Sequence, residues 1–265
     1  MASSLIGGMV TAGFSAADIL VADPDDVIRA SLVERFGVKT CADNTQLEHS
    51  DIVVLAVKPQ MMKTVCQQFH PDTSKQTLFI SIAAGIRSSD ISRWLNTDSD
   101  TDQPAIVRCM PNTPSLLQCG ASGLFANETV DDEQRSQAEK IMRAVGIVVW
   151  VDEESQLDAV TAVSGSGPAY FFLMMEAMKN AGEELGLPED VAQQLVLQTA
   201  LGAARMALES DISPASLREN VTSKGGTTEQ AILSFQQGSF QKLVSDALRA
   251  ANDRSKSLAD ELGHD

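Results

Sequence analysis

The first half of the chain alternates short apolar runs with amphipathic stretches. Runs at 51–57 and 77–83 are almost continuously apolar and rich in Val and Ile, which is typical of parallel strands that are covered on both faces. Helical patterns lie between the runs, and the one over 24–37 has Pro24 placed for a first helical turn and Gly37 as a stop. Further strands are predicted at 19–23, 105–110, 120–126 and 146–151. This alternation predicts a doubly wound α/β sheet over residues 1–152.

From 153 to 265 the spacing of apolar residues becomes helical, and no convincing strand is found. Ala, Leu, Met and Gln dominate this half, and its two long helices are apolar on more than one face. Helices are predicted over 168–186, 188–210, 214–221, 228–237 and 240–262. Because such helices seldom stand alone, we expect an all-α second domain that packs against a partner subunit.

Composition excludes several function classes without identifying one. The formal net charge of −16 disfavours nucleic acid and anionic membranes as partners. The four cysteines are scattered without a C-x-x-C pair, so we expect reduced thiols in a cytoplasmic protein. The three histidines share no ligand spacing with one another or with any cysteine, and no metal site is predicted. No signal peptide is evident, and no apolar run approaches the length of a membrane span.

Several segments that follow predicted strands are candidate ligand contacts, because ligands of open α/β sheets bind at the carboxyl ends of the strands. Asp23 could accept hydrogen bonds from a ribose hydroxyl and repel a 2′-phosphate, or it could simply cap the next helix. Lys58, before Pro59, is expected to be extended, and its cation could lie near cofactor phosphates or ribose. The small residues of 83–86 would let a flat ligand approach the backbone, although a tight turn is the commoner reason for them.

The loop RCMPNTP (108–114) is fixed by two prolines. Asn112 or Thr113 could hydrogen-bond a ligand amide there, although a turn needs no ligand. The glycines of 163–167 mark the junction between the two halves and favour close packing at that point.

The segment NVTSKGGTTEQAI (220–232) is the most informative. Its two glycines allow unusual backbone angles, and Thr227 with Gln230 fits a capping box that opens a helix. Free amides at a helix start form an anion site that suits a phosphate or a carboxylate. No catalytic triad or paired-carboxylate arrangement is evident in the sequence, so we expect a cofactor to carry the difficult chemical step.

Taken together, these segments resemble the pyrroline-5-carboxylate reductase family. The segments are AVKP (56–59), SIAAG (81–85), RCMPNTP (108–114), DAVTAVSGSGPAYFF (158–172) and VTSKGGTTEQAI (221–232), in the family order and spacing across essentially the whole chain. The resemblance implies that hydride from NADH or NADPH reduces 1-pyrroline-5-carboxylate to L-proline, the last step of proline biosynthesis. It also implies an N-terminal Rossmann domain and a helical C-terminal domain that forms a homodimer, which often assembles further into a decamer.

The resemblance also implies roles for individual residues. Thr228 would be the catalytic residue, with its hydroxyl meeting the ring nitrogen, while backbone amides at the same helix start take the substrate carboxylate. The implied substrate-binding residues are Glu154, Gly226, Thr227 and Thr228. The implied cofactor-binding residues are Asp23, Asn44, Val57, Lys58, Ala84, Met110, Pro111, Asn112 and Asn220.

The sequence departs from the family pattern at two places. Asp23 stands where many members have Ser or Thr, which favours NADH over NADPH. The chain opens on MASSLIGGMVTAGF, a predicted helix closed by Gly13, whereas the family begins with a strand and a G-x-G loop before this helix. We therefore expect about ten further residues upstream, because the first strand of such a sheet lies between the second and the fourth. Without them, cofactor binding should be weak.

Two alternatives remain open from the sequence. One is a related hydroxyacid dehydrogenase or imine reductase, in which Lys179 would be the candidate catalytic lysine. That hypothesis leaves the SKGGTT segment unexplained. The other is a non-catalytic helical dimer that has lost its cofactor loop.

Overall fold

The computed structural model describes residues 1–69, 77–95 and 103–263. The chain divides into two compact units, of which the first is Met1–Ser166 with Ala250–Asp265 and the second is Gly167–Arg249. The sequence predicted a domain boundary after residue 152, whereas the structure divides the chain after Ser166. The intervening segment belongs to the first unit because it packs on the sheet, where Val160 lies against Gly123 so closely that a side chain at Gly123 would not fit.

The described strands of the first unit form two sheets. One is a parallel pair, and the other has five strands in chain order, all parallel to their neighbours except for one antiparallel pair, β5 and β6. The strands are β1 (Leu20–Ala22) and β2 (Lys39–Cys41) in the pair, then β3 (Ile52–Leu55), β4 (Leu78–Ser81), β5 (Ala105–Met110), β6 (Gly120–Ala126) and β7 (Gly146–Trp150). β1 and β2 pair with each other and not with β3–β7, so the described strands do not form one continuous sheet.

Both faces of the five-stranded sheet are covered. Ile80 and Val107 lie in one apolar cluster, whereas their chain neighbours Phe79 and Ile106 lie in a second cluster, and all four side chains are buried. This arrangement confirms the prediction of parallel strands that are buried on both faces. The helices around the sheets are α1 (Ala2–Thr11), α2 (Asp26–Phe36), α3 (Met62–Cys66), α4 (Ser88–Trp94), α5 (Asp132–Arg143) and α6 (Gln156–Val160), followed by a π-helical turn at Thr161–Gly165.

Helix α1 contacts both sheets. Leu5 packs in the core cluster of the five-stranded sheet, and Ile6 packs in a third cluster beside the β1–β2 pair. Gly7 and Gly8, which follow Ile6, allow the helix to approach its neighbours closely. A Cβ at Gly8 would lie 2.6 Å from the main-chain oxygen of Ala144, and a Cβ at Gly7 would lie 2.9 Å from the Phe36 ring.

Most predicted elements are confirmed to within a few residues, but one strand was missed and three local predictions are wrong. Strand β2 was not predicted from the sequence. Pro24 does not begin α2, which starts at Asp26, and the cap is Asp25 rather than Asp23 because the Asp25 carboxylate accepts hydrogen bonds from the amides of the first turn. Gly37 ends the helix with φ of 68°, as predicted.

The third wrong prediction is the capping box at Thr227, in the second unit. Gly226 is the N-cap and makes no side-chain cap bond, and instead the Glu229 carboxylate accepts a hydrogen bond from the amide of Gly225 at 2.7 Å. This unit is helical, as predicted, with α7 (Gly167–Glu184), α8 (Glu189–Glu209), α9 (Pro214–Asn220), α10 (Thr227–Gln237) and the start of α11 (Phe240–Gly263).

Large apolar side chains stay exposed on the second unit, including Phe171, Phe172 and Leu201 at 67%, 62% and 55% exposure. Among the described residues, no helix is both long enough and apolar enough to cross a membrane. Across the same residues, no group of three or more His, Cys, Asp or Glu side chains is arranged to hold a metal ion.

Candidate active site

The loops predicted to hold the cofactor follow three neighbouring parallel strands. Strands β3, β4 and β5 run side by side in the same direction, so their carboxyl ends meet at one edge of the sheet. Lys58 follows β3, Ala84 follows β4 and Asn112 follows β5. The structure therefore brings the three predicted loops to the edge at which ligands of open α/β sheets bind.

Lys58 is exposed and extended, with φ of −62° and ψ of 144°, as its position before proline predicts. Its neighbour Val57 packs against the second core cluster, which leaves the cation as the group that faces outward. On the loop after β2, the Asn44 amide donates a hydrogen bond to the Gln68 side chain at 2.7 Å. A ligand that binds Asn44 would therefore replace or share its hydrogen bond with Gln68. Lys58 could contact a ligand without any change in its position.

Asn112 is held by hydrogen bonds on both ends of its side-chain amide. Its Nδ2 donates to the main-chain oxygen and the Oγ of Ser164 at 3.3 and 3.2 Å, and its Oδ1 accepts from the amide of Ala121 at 2.9 Å. The Ser164 hydroxyl in turn donates to the oxygen of Ala121 at 3.0 Å. This triangle fixes the loop after β5 to β6 and to the π-helical turn, so the side chain of Asn112 positions the loop.

Close packing fixes the residues on either side of this loop. A Cβ at Gly165 would lie 2.3 Å from the terminal methyl carbon of Met110, so the methionine rests directly on the backbone of the π-helical turn. Pro111 is buried. Cys109, next to Met110, is also buried, and burial raises the pKa of its thiol to about 12, against a smaller opposing effect of a hydrogen bond with Ser122. Cys109 is therefore an unreactive packing residue beside the loop.

Glu154 accepts three hydrogen bonds within the first unit. Its Oε1 accepts from the amide of Ser88 at 2.6 Å and from Nη1 of Arg108 at 2.9 Å, and its Oε2 accepts from the Ser88 hydroxyl at 2.9 Å. Arg108 projects from β5 and its side chain is 11% exposed, compared with 24% for Glu154. This ion pair joins β5 to the start of α4 and to the segment before α6. Neither Arg108 nor Ser88 was predicted from the sequence to have a role, although a charged residue within the apolar run AIVRCM was a usable signal.

Asp23 directly follows β1, and its amide donates to the oxygen of Cys41 in β2 at 3.1 Å. The Asp23 carboxylate accepts a hydrogen bond from the amide of Asp25 at 2.9 Å. Its main-chain oxygen accepts a hydrogen bond from Nη1 of Arg29 at 2.5 Å, and Nη2 of Arg29 pairs with Asp26. A cation that sequence analysis missed therefore lies beside the predicted ribose-binding residue.

The predicted substrate residues Gly226, Thr227 and Thr228 begin helix α10 in the second unit. Both threonines are exposed, and the first-turn amides of a helix have no partner within it. Gly225 adopts φ of 73°, a left-handed conformation that favours glycine and turns the chain into the helix. Asn220, the last residue of α9, is also exposed. Glu154 belongs to the first unit and Thr228 to the second. That both residues bind the same substrate molecule therefore stays a prediction.

Two family models match the chain. One describes pyrroline-5-carboxylate reductase dimerisation and matches residues 154–258, and the other describes an F420-dependent NADP oxidoreductase and matches residues 1–85. A Pseudomonas aeruginosa protein named pyrroline-5-carboxylate reductase is 52% identical over 265 residues, covering 99% of this chain and 95% of that protein. The chain belongs to the pyrroline-5-carboxylate reductase family. The family resemblance in the sequence is thereby confirmed.

Solved structures of the family share the fold of this chain. A pyrroline-5-carboxylate reductase from Coxiella burnetii superposes with a TM-score of 0.92 at 46% identity, covering 97% of this chain and 94% of that one. A Plasmodium falciparum pyrroline carboxylate reductase with NADP bound gives a TM-score of 0.82 at 30% identity, again covering 97% and 94%. The α/β sheet followed by a helical unit, as predicted from the sequence, is the fold of these reductases.

Proposed function

We propose that this chain reduces the C=N bond of 1-pyrroline-5-carboxylate to give L-proline, with NADH or NADPH as the hydride donor. The observation that carries the proposal is the meeting of the loops after β3, β4 and β5 at one sheet edge, in a chain that belongs to this reductase family throughout its length. The nicotinamide would supply the hydride, and the protein would bind, orient and hydrogen-bond the imine.

The residues proposed to bind the cofactor lie mostly in the first unit, and those proposed to bind the substrate lie mostly in the second. The carboxyl edge of the sheet would hold the dinucleotide through Asn44, Val57, Lys58, Ala84, Met110, Pro111 and Asn112, with Asp23 near the adenosine ribose and Asn220 near the cofactor. The exposed amides at the start of α10 would take the substrate carboxylate, because a helix N-terminus favours an anion. Gly226, Thr227 and Glu154 would complete the substrate site.

Thr228 would hydrogen-bond the ring nitrogen. Hydride adds to the carbon of the protonated imine, and the π electrons of the C=N bond become the lone pair of the product amine. No covalent intermediate is needed, so the rate depends on holding the ring in line with the hydride donor. Lys179, the candidate in the dehydrogenase alternative, fits this chemistry less well. Its hydrogen bonds to Glu183 and Glu189 raise the pKa of the ammonium group, which keeps it protonated.

The test is NAD(P)H oxidation in the presence of 1-pyrroline-5-carboxylate, with Thr228→Ala and Thr228→Ser compared with the wild type. Thr228→Ala should lower kcat clearly while the protein still folds and binds cofactor, and Thr228→Ser should restore much of the rate. Equal turnover by all three proteins would refute the role of Thr228. Absence of turnover with a bound dinucleotide would instead refute the reductase activity and favour a non-catalytic helical dimer.

We propose NADH as the preferred coenzyme. Asp23, Asp25 and Asp26 place three carboxylates between the end of β1 and the first turn of α2, against the cation of Arg29, and this balance repels a 2′-phosphate. The Plasmodium falciparum relative was solved with NADP bound, so the phosphate is accepted elsewhere in the family. The measurement is kcat/KM with each coenzyme, and a value much higher with NADPH would contradict the proposal.

We also propose that the second unit forms a homodimer, because Phe171, Phe172 and Leu201 expose an apolar surface within the segment matched by the dimerisation family. Phe172→Glu should shift the protein from dimer to monomer in sedimentation experiments, whereas Glu184→Gln, on the same helix, should not. The further assembly into a decamer rests on the family resemblance. A cytoplasmic location is supported by the four free cysteines.

A further inference from the structure

The segment from Asp23 to the first turn of α2 holds the guanidinium group of Arg29 by two of its nitrogens. Nη1 of Arg29 donates to the main-chain oxygen of Asp23 at 2.5 Å, which fixes the group beside the residue expected to meet the adenosine ribose. Nη2 pairs with the carboxylate of Asp26. The Arg29 side chain is only 18% exposed, whereas that of Asp26 is 87% exposed. The cation is therefore fixed by the fold, and its carboxylate partner is a surface group that solvent or a ligand can replace.

The other two carboxylates of the loop have different partners. The Asp25 carboxylate caps α2 by accepting hydrogen bonds from the amides of Val27 and Ile28 at 2.8 and 3.3 Å. The Asp23 carboxylate accepts a hydrogen bond from the amide of Asp25. Asp26 is thus the acid of this segment that pairs with the arginine. Removing Asp26 would leave Arg29 anchored through Nη1 with its Nη2 edge open.

We propose that the Arg29–Asp26 ion pair is the coenzyme selector of this chain, because Asp26 occupies the edge of the guanidinium that a ribose 2′-phosphate would need. The inference rests on the cofactor site proposed above, in which the adenosine ribose lies next to Asp23. Arginine suits a phosphate because its planar fork can donate two parallel hydrogen bonds to two oxygens. An exposed ion pair is weak, so the competition between the carboxylate and the phosphate is close enough for one substitution to shift it.

The experiment is a fluorescence titration of NADH and NADPH binding to the full chain, which requires no turnover. Asp26→Asn should tighten NADPH binding by about tenfold and leave NADH binding within about twofold, since it removes a repulsive charge and weakens the hydrogen bond that holds Nη2 of Arg29. Adenosine 2′,5′-bisphosphate and 5′-AMP, used as competitors, should show the same selectivity without a nicotinamide ring.

Two variants separate the ion pair from the general charge of the loop. Asp25→Ser removes an equal charge from the adjacent position and keeps a capping hydroxyl, so it should tighten NADPH binding by less than Asp26→Asn does. In the double variant Asp26→Asn/Arg29→Met, the gain of Asp26→Asn should disappear. Equal effects of Asp25→Ser and Asp26→Asn, or a gain that survives the loss of Arg29, would overturn the inference while leaving the reductase proposal intact. Failure of the wild type to bind either dinucleotide would overturn the cofactor site itself.

Discussion

The bonds around Glu154 predict a large and specific loss of stability when its charge is removed. Its carboxylate accepts hydrogen bonds from the Ser88 amide, the Ser88 hydroxyl and Nη1 of Arg108, at 2.6, 2.9 and 2.9 Å. Glu154→Gln keeps one acceptor oxygen for the two donors at Oε1, and the Ser88 hydroxyl can rotate to accept from the new amide. The shape of the site is therefore preserved, and the substitution mainly removes the negative charge.

The cost comes from Arg108, whose side chain is 11% exposed and would lose its carboxylate partner. Removing one member of a fully buried pair costs about 3–5 kcal/mol, and hydrogen bonds to charged groups contribute about 1.5–3 kcal/mol. Because Glu154 is 24% exposed, water can replace part of the lost interaction. We expect Glu154→Gln to lower the free energy of unfolding by about 2–3 kcal/mol.

Urea unfolding followed by tryptophan fluorescence is the suitable assay. The chain has two tryptophans, Trp94 and Trp150, and both lie in the first unit with Glu154. Protein concentration must be held constant, because association of the helical unit would shift the apparent stability. Glu153→Gln is the matched control, since it removes the same charge from an adjacent exposed residue and should change stability by less than about 0.5 kcal/mol.

A double-mutant cycle with Arg108→Met separates the ion pair from other effects. Arg108→Met should also be destabilising, but the double variant should be more stable than the sum of the two losses predicts, because neither charge is then left buried without its partner. A Glu154→Gln protein as stable as the Glu153→Gln control would refute the reasoning, and so would strictly additive losses in the cycle.

Other parts of the first unit give three shorter predictions. Gly8→Ala should lower the free energy of unfolding by about 1–3 kcal/mol because the new Cβ would meet a main-chain oxygen. Gly7→Ala should cost less because its Cβ would meet only the movable ring of Phe36. Equal losses of stability for the two variants in urea unfolding would contradict this. Cys119, which is exposed, should react with iodoacetamide before Cys109, whose thiol pKa is raised to about 12 by burial, and equal rates by mass spectrometry would contradict this. Trp150→Phe should lower the free energy of unfolding at neutral pH, because the indole N–H donates a hydrogen bond to the Glu139 carboxylate and lowers the pKa of that group. Protonation of Glu139 removes this stabilisation, so the loss caused by Trp150→Phe should shrink as the pH falls. A loss that stays constant in acid, followed by circular dichroism, would contradict this.

The sequence predicts the fold well where each element carries its own periodicity. The apolar runs that became β3, β4 and β5, and the long helices of the second unit, were all located within a few residues. Strand β2 was missed because it is three residues long and begins with an exposed lysine, so it has neither the length nor the alternation that indicates a strand. Its pairing with β1 comes from tertiary contacts, which local pattern does not contain.

In the candidate site, too, local features were predicted from the sequence and tertiary contacts were not. Residues identified by local chemistry, such as Lys58 before a proline and the glycines before α10, have the backbone conformations that the sequence predicts. The hydrogen bonds that hold Asn112 and Glu154 come from residues 52 and 66 positions away in the chain, and no short-range pattern could have indicated them. Arg29 was overlooked for a different reason, since a single arginine in a surface helix is ordinary until its partners are known.

The segment SIAAG illustrates how packing and ligand contact can share one motif. Gly85 has φ of 72°, and a Cβ there would lie 3.4 Å from the side chains of Leu258 and Leu262 in the last part of α11. Arg87, two residues later, pairs with Asp260 of the same helix at 2.5 Å. The left-handed backbone at Gly85 therefore favours glycine, and the turn packs against the end of α11, whether or not a ligand is bound. Ala84, beside Gly85, is only half-buried, which is consistent with the proposed contact of this turn with a flat cofactor.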